Sequence, residues 1–347
     1  MLGWPALARI ERSDVAMLVF TEEVDDGPPS VLAVPIDGYG TPQGSLAEVS
    51  RGSGGTLVST TLGEAEPGFT LSFQGYGSLD GRLVAARFSA TGEITGTAPT
   101  GWRTSMMRPA LLLTRELALN GWNALDGRRT EALLQNMTTR AVRDLDLPGV
   151  DPVAAPGGAP GEALVAVHDG TMVTVSRYDS DGSLLGSVHP RVGVDLGELP
   201  FGVGGAHVVA GAPDAVAAFG GVIRALEHMF VYGELGDHRV TWQQVNDFAF
   251  DIDAAYDEAT GLLGIVDGRT HDEGIDRRPT PHVFFHALDR AGLTVELNVS
   301  GPLFDADPTE LRPAVMSTGD PSTPFLIVWA DRRGEDGLVM GALVGCD

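Results

Sequence analysis

Four aspartates, Asp247, Asp251, Asp253 and Asp257, crowd the stretch DFAFDIDAAYDEATG. On an extended strand, side-chain alternation puts Asp247, Asp251 and Asp253 on one side. Carboxylates gathered around one channel bind a cation or raise one another's pKa, which is the condition for an acid and base pair. Asp251 and Asp253 are therefore the candidate catalytic residues, against a competing reading of a solvated rim with DEATG as the next turn. A second acidic group, Asp179 and Asp181 in YDSDGS, offers clustered oxygen ligands on a glycine turn and makes calcium the one cofactor to consider. The rest of an EF-hand pattern is missing, and Asp-x-Asp-Gly also serves an ordinary hairpin, because Asp bonds its own backbone and Gly takes positive φ.

All eight histidines follow residue 160, and His282 and His286 stand four apart in HVFFH. On a helix that spacing makes a metal face, but this segment reads as strand, where four residues span about 13 Å and no ion can be shared. The two are expected to be half-buried strand residues. The polar segment GRTHDEGIDRRP, 268–279, reads as a long loop within a hairpin. It supplies Arg269, His271, Arg277 and Arg278 as candidate binding residues, since function concentrates on long loops carried by rigid scaffolds. Trp242 joins them as a binding candidate, and Trp102, Trp122, Tyr39 and Tyr76 complete the pool of aromatics on which a sugar could stack.

Much chemistry is excluded. The 23 basic residues are all arginine, so lysine-dependent phosphate loops, Schiff bases and Ser-x-x-Lys hydrolases fall away. Cys346 is the single cysteine, which removes disulfides within the chain, cysteine-based zinc sites and iron–sulfur clusters. Metalloprotease, nucleophile-elbow, dinucleotide and sialidase-box motifs are absent from the sequence. Asn136-Met-Thr138 and Asn298-Val-Ser300 fit the glycosylation acceptor pattern. A net charge of -24 repels nucleic acid and anionic membranes and favours cationic partners. Arg9, Glu11, Arg12 and Asp14 interrupt the first apolar stretch, which reads as neither a signal peptide nor a transmembrane helix.

The elements that must hold these residues are short apolar runs punctuated by 46 glycines and 22 prolines. AMLVF from Ala16, FTLSF from Phe69, ALVAV from Ala163, AVAAF from Ala215, LLGIV from Leu262 and FLIVW from Phe325 each precede a turn and a second strand. Their spacing of about 50 residues, or about twice that across the one gap between Phe69–Phe73 and Ala163–Val167, is the period of a β-propeller blade, a small sheet that buries its faces only against its neighbours. The chain therefore reads as an all-β, single-domain β-propeller of seven blades, approximately 5–53, 54–105, 106–150, 151–200, 201–246, 247–308 and 309–347. The alternative is six blades plus a helical insertion around 108–145, where PALLLTRELALNGWNAL and TEALLQNMTTRAVRDL show i, i+3, i+4 apolar spacing. DPVAAPGGAPGE, 151–162, reads as a loop between blades, and the terminal blade is expected to have only three strands.

The last unit carries FLIVWADRR, 325–333, followed by MGAL, 340–343. It resembles blades of bacterial surface-associated or secreted β-propeller repeat proteins, in which a Leu-Val-Val-Trp-x-Asp-x-Arg strand leads to an Ile-x-Gly-Ala-Arg strand. Fainter versions recur along the chain, for instance LVAARF at 83–88. The resemblance implies an extracellular, periplasmic or cell-surface location and supplies no activity. With no readable nucleophile, base and oxyanion hole, the expectation is a monomeric binding scaffold for a protein or glycan, with no nucleic acid and no membrane insertion. Its rivals are a propeller-fold glycosidase or lyase using Asp251 and Asp253, and a structural subunit of a surface assembly.

Overall fold

The computed structural model describes residues 2–9, 15–22, 30–51, 61–64, 68–74, 82–89, 91–103, 110–113, 116–124, 128–157, 159–168, 173–188, 201–210, 215–223, 227–234, 240–245, 248–271, 280–289, 292–301, 303, 313–331 and 338–345. Among them every regular element is a strand, and strands adjacent in sequence pair as small antiparallel meanders. The first sheet holds β1 (Leu2–Arg9), β2 (Val15–Glu22), β3 (Ser30–Asp37) and β4 (Ala47–Arg51); the second holds β5 (Thr61–Glu64), β6 (Gly68–Gln74), β7 (Arg82–Ser89) and β8 (Ile94–Arg103). The third is β9 (Ala110–Leu113), β10 (Leu117–Asn123), β11 (Arg129–Asn136) and β12 (Val142–Pro148); the fourth is β13 (Val150–Pro156), β14 (Ala163–His168), β15 (Val173–Tyr178) and β16 (Leu184–Val188). The fifth is β17 (Phe201–Ala210), β18 (Ala215–Ile223), β19 (Glu227–Glu234) and β20 (Val240–Val245); the sixth is β21 (Phe248–Asp257), β22 (Leu262–His271), β23 (Thr280–Asp289) and β24 (Gly292–Asn298). The seventh has three strands, β25 (Ala314–Ser317), β26 (Phe325–Asp331) and β27 (Leu338–Val344).

The helical alternative for 108–145 gives way to the four strands of the third sheet. In β11 the burial alternates, with Thr130, Ala132, Leu134 and Asn136 inward and Arg129 to Gln135 at odd positions more open. Two of the four inward residues are polar, so the period of two is masked in a purely apolar count. DPVAAPGGAPGE also differs from its reading as a loop, because β13 takes up 150–156.

First strands share a device. The register of β1 against β2 shifts between Gly3 and Ala6, and that of β13 against β14 between Val150 and Val153. Similar shifts occur in β17 between Val203 and Gly205 and in β21 between Phe250 and Ile252. A bulge sharpens local twist and tolerates a residue with no N–H to donate, which is where Pro5 and Pro152 fall.

The sheets fall into two compact units. One is Met1–Arg103, Asp247–Leu288 and Leu293–Asp347; the other is Thr104–Asn246 with Asp289–Gly292. In the first unit, Val266, Val283, Phe285 and Ala287 of the sixth sheet pack on Phe325, Ile327 and Trp329 of the seventh. The opposite face of the seventh, Ala314, Met316, Leu326 and Val328, packs on Ala16, Phe20, Leu32, Val34 and Ile36 of the first. Covered on both faces, β26 is apolar over its first six residues, Phe325–Ala330, and all seven are buried, the last being Asp331. Close approach of the sixth and seventh sheets also requires Gly264, where a Cβ would sit 2.7 Å from the Phe325 ring and 2.9 Å from Phe285. In the second unit, Leu117, Leu119, Ala132, Leu134, Leu145 and Leu147 of the third sheet meet Ala163, Val165, Val167 and Tyr178 of the fourth. Each of these leucines and valines contributes about 1.5–3 kcal/mol on burial.

Candidate functional site

The turn after the third strand repeats from sheet to sheet. In the first sheet Asp37 Oδ1 accepts the N–H groups of Tyr39 (2.9 Å) and Thr41 (2.8 Å), and in the fourth Asp179 Oδ1 accepts those of Asp181 (3.0 Å) and Ser183 (2.8 Å). Ser89 plays the same part in the second, toward Thr91 and Glu93. Three residues on stand Gly40, Gly92 and Gly182, with φ of 83°, 83° and 75°. A left-handed residue closes each turn, and glycine takes that conformation without strain. Asp179 is thus a turn residue of a repeated kind, while the Asp181 carboxylate accepts from Asn136 Nδ2 at 2.8 Å. Among the described residues no group of three or more His, Cys, Asp or Glu side chains could hold a metal ion.

Aspartates at the sheet ends join neighbours. Asp257, 1% exposed, accepts the Thr260 N–H (2.8 Å) and hydroxyl (2.7 Å) on Oδ2 and the Ser317 hydroxyl (2.6 Å) on Oδ1. It therefore closes the β21–β22 turn and ties it to β25. The half-buried Asp253 accepts the backbone N–H of Val315 at 2.9 Å, a second tie between the sixth and seventh sheets. Asp251 falls at the register shift in β21, between Phe250 and Ile252. Asp247, Arg277, Arg278 and Tyr76 lie outside the described residues. Arg269 and His271 belong to β22, opposite Ala249 and Thr280, so the polar loop begins later than 268. Trp242 stands in β20 opposite Val231, Trp102 in β8, and Trp122 is half-buried in β10 opposite Glu131.

The two histidines of HVFFH are more deeply placed than half-buried strand residues. His286 is wholly buried, and its Nε2 donates to the equally buried Asp267 at 2.8 Å, while Nδ1 lies 3.6 Å from Glu296 Oε2. His282, 5% exposed, accepts on Nδ1 from Asn298 Nδ2 at 2.8 Å. The two rings have separate partners, Asp267 for His286 and Asn298 for His282. Both glycosylation-type asparagines are likewise engaged through their amide nitrogens, Asn136 with Asp181 and Asn298 with His282.

Among the described residues, Tyr39 is an aromatic of the sugar-stacking pool that stands in the open beside polar groups. It is 54% exposed, and its hydroxyl donates to Asp320 Oδ2 at 2.8 Å, linking the β3–β4 turn to the β25–β26 turn. Asp320 Oδ1 also accepts the Ser322 N–H (2.9 Å) and hydroxyl (2.8 Å), and Gln43 Nε2 donates to Asp37 Oδ2 at 3.1 Å. The Ser322 N–H first, then the Tyr39 and Ser322 hydroxyls, hold the Asp320 carboxyl below the usual carboxylate range. The exposed Tyr39 ring can stack on one side of a ligand, and the Asp320 carboxylate beside its hydroxyl can accept from hydroxyl or amine donors. Tyr39 was legible only as one of five aromatics, because its partner Asp320 is 281 residues away.

No family model matches the chain, and no curated protein matches it. Solved structures do. Polysaccharide lyase Uly1 is similar over 86% of this chain and 81% of its own, with a TM-score of 0.53 and 8% identity. Hydrazine synthase of Kuenenia stuttgartiensis is similar over 79% and 83%, with a TM-score of 0.49 and 10% identity, and TolB from Acinetobacter baumannii over 82% and 65%, at 0.44 and 11%. At these identities the likeness is one of fold. The succession of small antiparallel meander sheets is propeller-like. Among the described residues no helix is long and apolar enough to cross a membrane.

Proposed function

We propose that this chain is a seven-bladed β-propeller that acts as a secreted or surface-exposed recognition scaffold, binding a protein or glycan through turns at the ends of its sheets. The observation that carries this reading is the exposed Tyr39 side chain, on the turn that Asp37 holds, whose hydroxyl donates to Asp320. The carboxylates with more chemical promise, Asp253 and Asp257, accept bonds that hold neighbouring sheets together. Net charge of -24 directs the site toward neutral or cationic ligands and away from polyanions. The glycan branch is tested by titrating neutral oligosaccharides into the protein and into Tyr39→Ala. Saturable binding lost in the variant at unchanged melting temperature supports it; binding that survives Tyr39→Ala removes this site.

The rival reading is a carboxylate glycosidase or lyase centred on Asp251 and Asp253, with Arg269, His271, Arg277, Arg278 and Trp242 as binding residues. Its support is likeness of fold to a polysaccharide lyase, which carries no activity by itself. Release of reducing or unsaturated ends from polysaccharide, abolished in Asp251→Asn, would favour it. An extracytoplasmic location is part of the proposal and is tested by fractionation of the producing cell.

A further inference from the structure

The two turns that carry Tyr39 and Asp320 have spent their hydrogen-bond donors on themselves. In the β25–β26 turn the N–H groups of Thr318, Gly319, Asp320, Ser322 and Thr323 each have an acceptor within the chain, and Pro321 and Pro324 have no N–H to give. The hydroxyls of Thr318, Ser322 and Thr323 donate to Thr323 O, Asp320 Oδ1 and Asp320 Oδ2. In the β3–β4 turn the N–H groups of Tyr39, Gly40, Thr41 and Gln43 are used likewise. Gln43 Nε2 donates to both Asp37 Oδ2 and Thr41 O, and the Tyr39 hydroxyl gives its one proton to Asp320.

What these turns still offer is acceptor capacity. An ionised carboxylate has about four lone-pair sites. On Asp320, Oδ1 takes the Ser322 N–H and hydroxyl, whereas Oδ2 takes the Tyr39 hydroxyl at 2.8 Å and the Thr323 hydroxyl only at 3.5 Å. Oδ2 therefore retains room for a donor, directly beside the hydroxyl of an exposed aromatic ring. A neutral sugar hydroxyl both donates and accepts, so against such turns its own acceptor side goes unmatched. An ammonium has three donors and no acceptor, which is the complementary set. A guanidinium fork asks for both carboxylate oxygens, and Oδ1 is already doubly engaged.

We propose that Tyr39 and Asp320 bind a primary ammonium group, that of a lysine side chain on a protein partner. The inference rests on the recognition reading above and takes its protein branch. Asp320 Oδ2 accepts from the ammonium, while the Tyr39 ring attracts the cation and packs against the apolar stem. An amino sugar presents the same ammonium on a ring of hydroxyls for which these turns have no donors to match, and this favours lysine. The chain's net charge of -24 draws a cation in. Arg9, whose guanidinium a Cβ at Gly319 would meet, acts against it from the same turn.

The test is an NMR titration of the intact chain near neutral pH and 0.15 M salt, where general attraction to an acidic protein is screened beyond about 8 Å. The probe is Nα-acetyl-lysine methylamide, read on the Tyr39 ring and the Asp320 carboxyl carbon. Its arginine and Nε-acetyl-lysine counterparts, methyl glucosaminide and a neutral oligosaccharide are the comparisons. The expected result is saturable shifts with the lysine probe, weaker ones with arginine and the amino sugar, and none with acetylated lysine. Binding should weaken about tenfold in Asp320→Asn and persist in Asp144→Asn, which removes the same charge from an exposed position on β12. Should Asp320→Asn lack a cooperative melt, the unaltered chain decides: probe binding falls with pH in step with the titration of Asp320 itself. Acetylated lysine binding as well as lysine, an amino sugar binding more tightly, or binding indifferent to Asp320 each overturns the proposal. If a neutral oligosaccharide saturates the Tyr39 signals and the lysine probe does not, this inference falls and the recognition reading stands; if neither moves them, both fall at this site.

Discussion

The Tyr39 hydroxyl and the Asp320 carboxylate, 281 residues apart in sequence, meet at 2.8 Å across the turns of the first and seventh sheets. The bond forms only when the two ends of the chain have packed, and it helps keep Asp320 ionised below the usual carboxylate range. A depressed folded-state pKa contributes stability above the ordinary carboxylate pKa and loses it as pH falls through the lowered value. Tyr39→Phe is expected to move the Asp320 midpoint upward, yet leave it below the ordinary value because Ser322 still donates. Carboxyl-carbon NMR against pH reads this directly.

Asp257 is expected to matter for stability rather than turnover. Asp257→Ala strips a buried carboxylate from Thr260 and Ser317 and should cost on the order of 2–3 kcal/mol. Asp253→Ala, which orphans one backbone N–H, should cost about 1–2 kcal/mol. Urea unfolding of each variant supplies the numbers, and a stable but catalytically altered Asp253→Ala protein would restore the enzymatic reading.

Breaking the Asp267–His286 pair one side at a time should be worse than replacing both. Asp267→Ala leaves a buried imidazole without its acceptor, at a cost of roughly 3 kcal/mol, whereas Asp267→Leu with His286→Leu removes both polar groups together. A double variant less stable than the single one contradicts the assignment of this pair as a structural contact.

Calcium should leave the fold unchanged. Asp179 and Asp181 spend their carboxylates on Asp181 and Ser183 N–H groups and on Asn136, so chelation followed by calcium return is expected to leave the melting temperature where it was. A reversible upward shift with calcium would reassign YDSDGS from turn to metal site.

Strands whose apolar residues are contiguous were legible from sequence alone. FLIVW, LLGIV and ALVAV lie in β26, β22 and β14, and the strand following each run forms the expected hairpin. Detection failed where a buried face carries polar residues: β10 and β11 bury Asn120, Thr130 and Asn136 beside leucines, so helix and strand periodicities competed over 108–145. Bulges were invisible for another reason. The shift at Asp251 depends on how β21 lies against β22, a property of the pair that neither strand displays alone. The Asp267–His286 contact was missed likewise, since 19 residues separate partners that only the hairpin register brings together. The repeat of Asp or Ser three residues before a left-handed Gly was present in the sequence at 37–40, 89–92 and 179–182, and aligning the units on it marks Asp179 as one turn among several.

Packing of the seventh sheet on the first has a temporal meaning for a chain made from its N-terminus. The apolar face of Ala16, Phe20, Leu32, Val34 and Ile36 is translated early, but Leu326 and Val328, which cover it, follow some 290 residues later. At ~5–20 residues per second that is an interval of roughly 15 to 60 s on the ribosome. A nascent first sheet waits through it with an uncovered hydrophobic surface, dependent on chaperones or on fast export. A premature stop before Ala314 would remove Met316, Leu326 and Val328 as well and leave that surface bare, so such a truncation should aggregate.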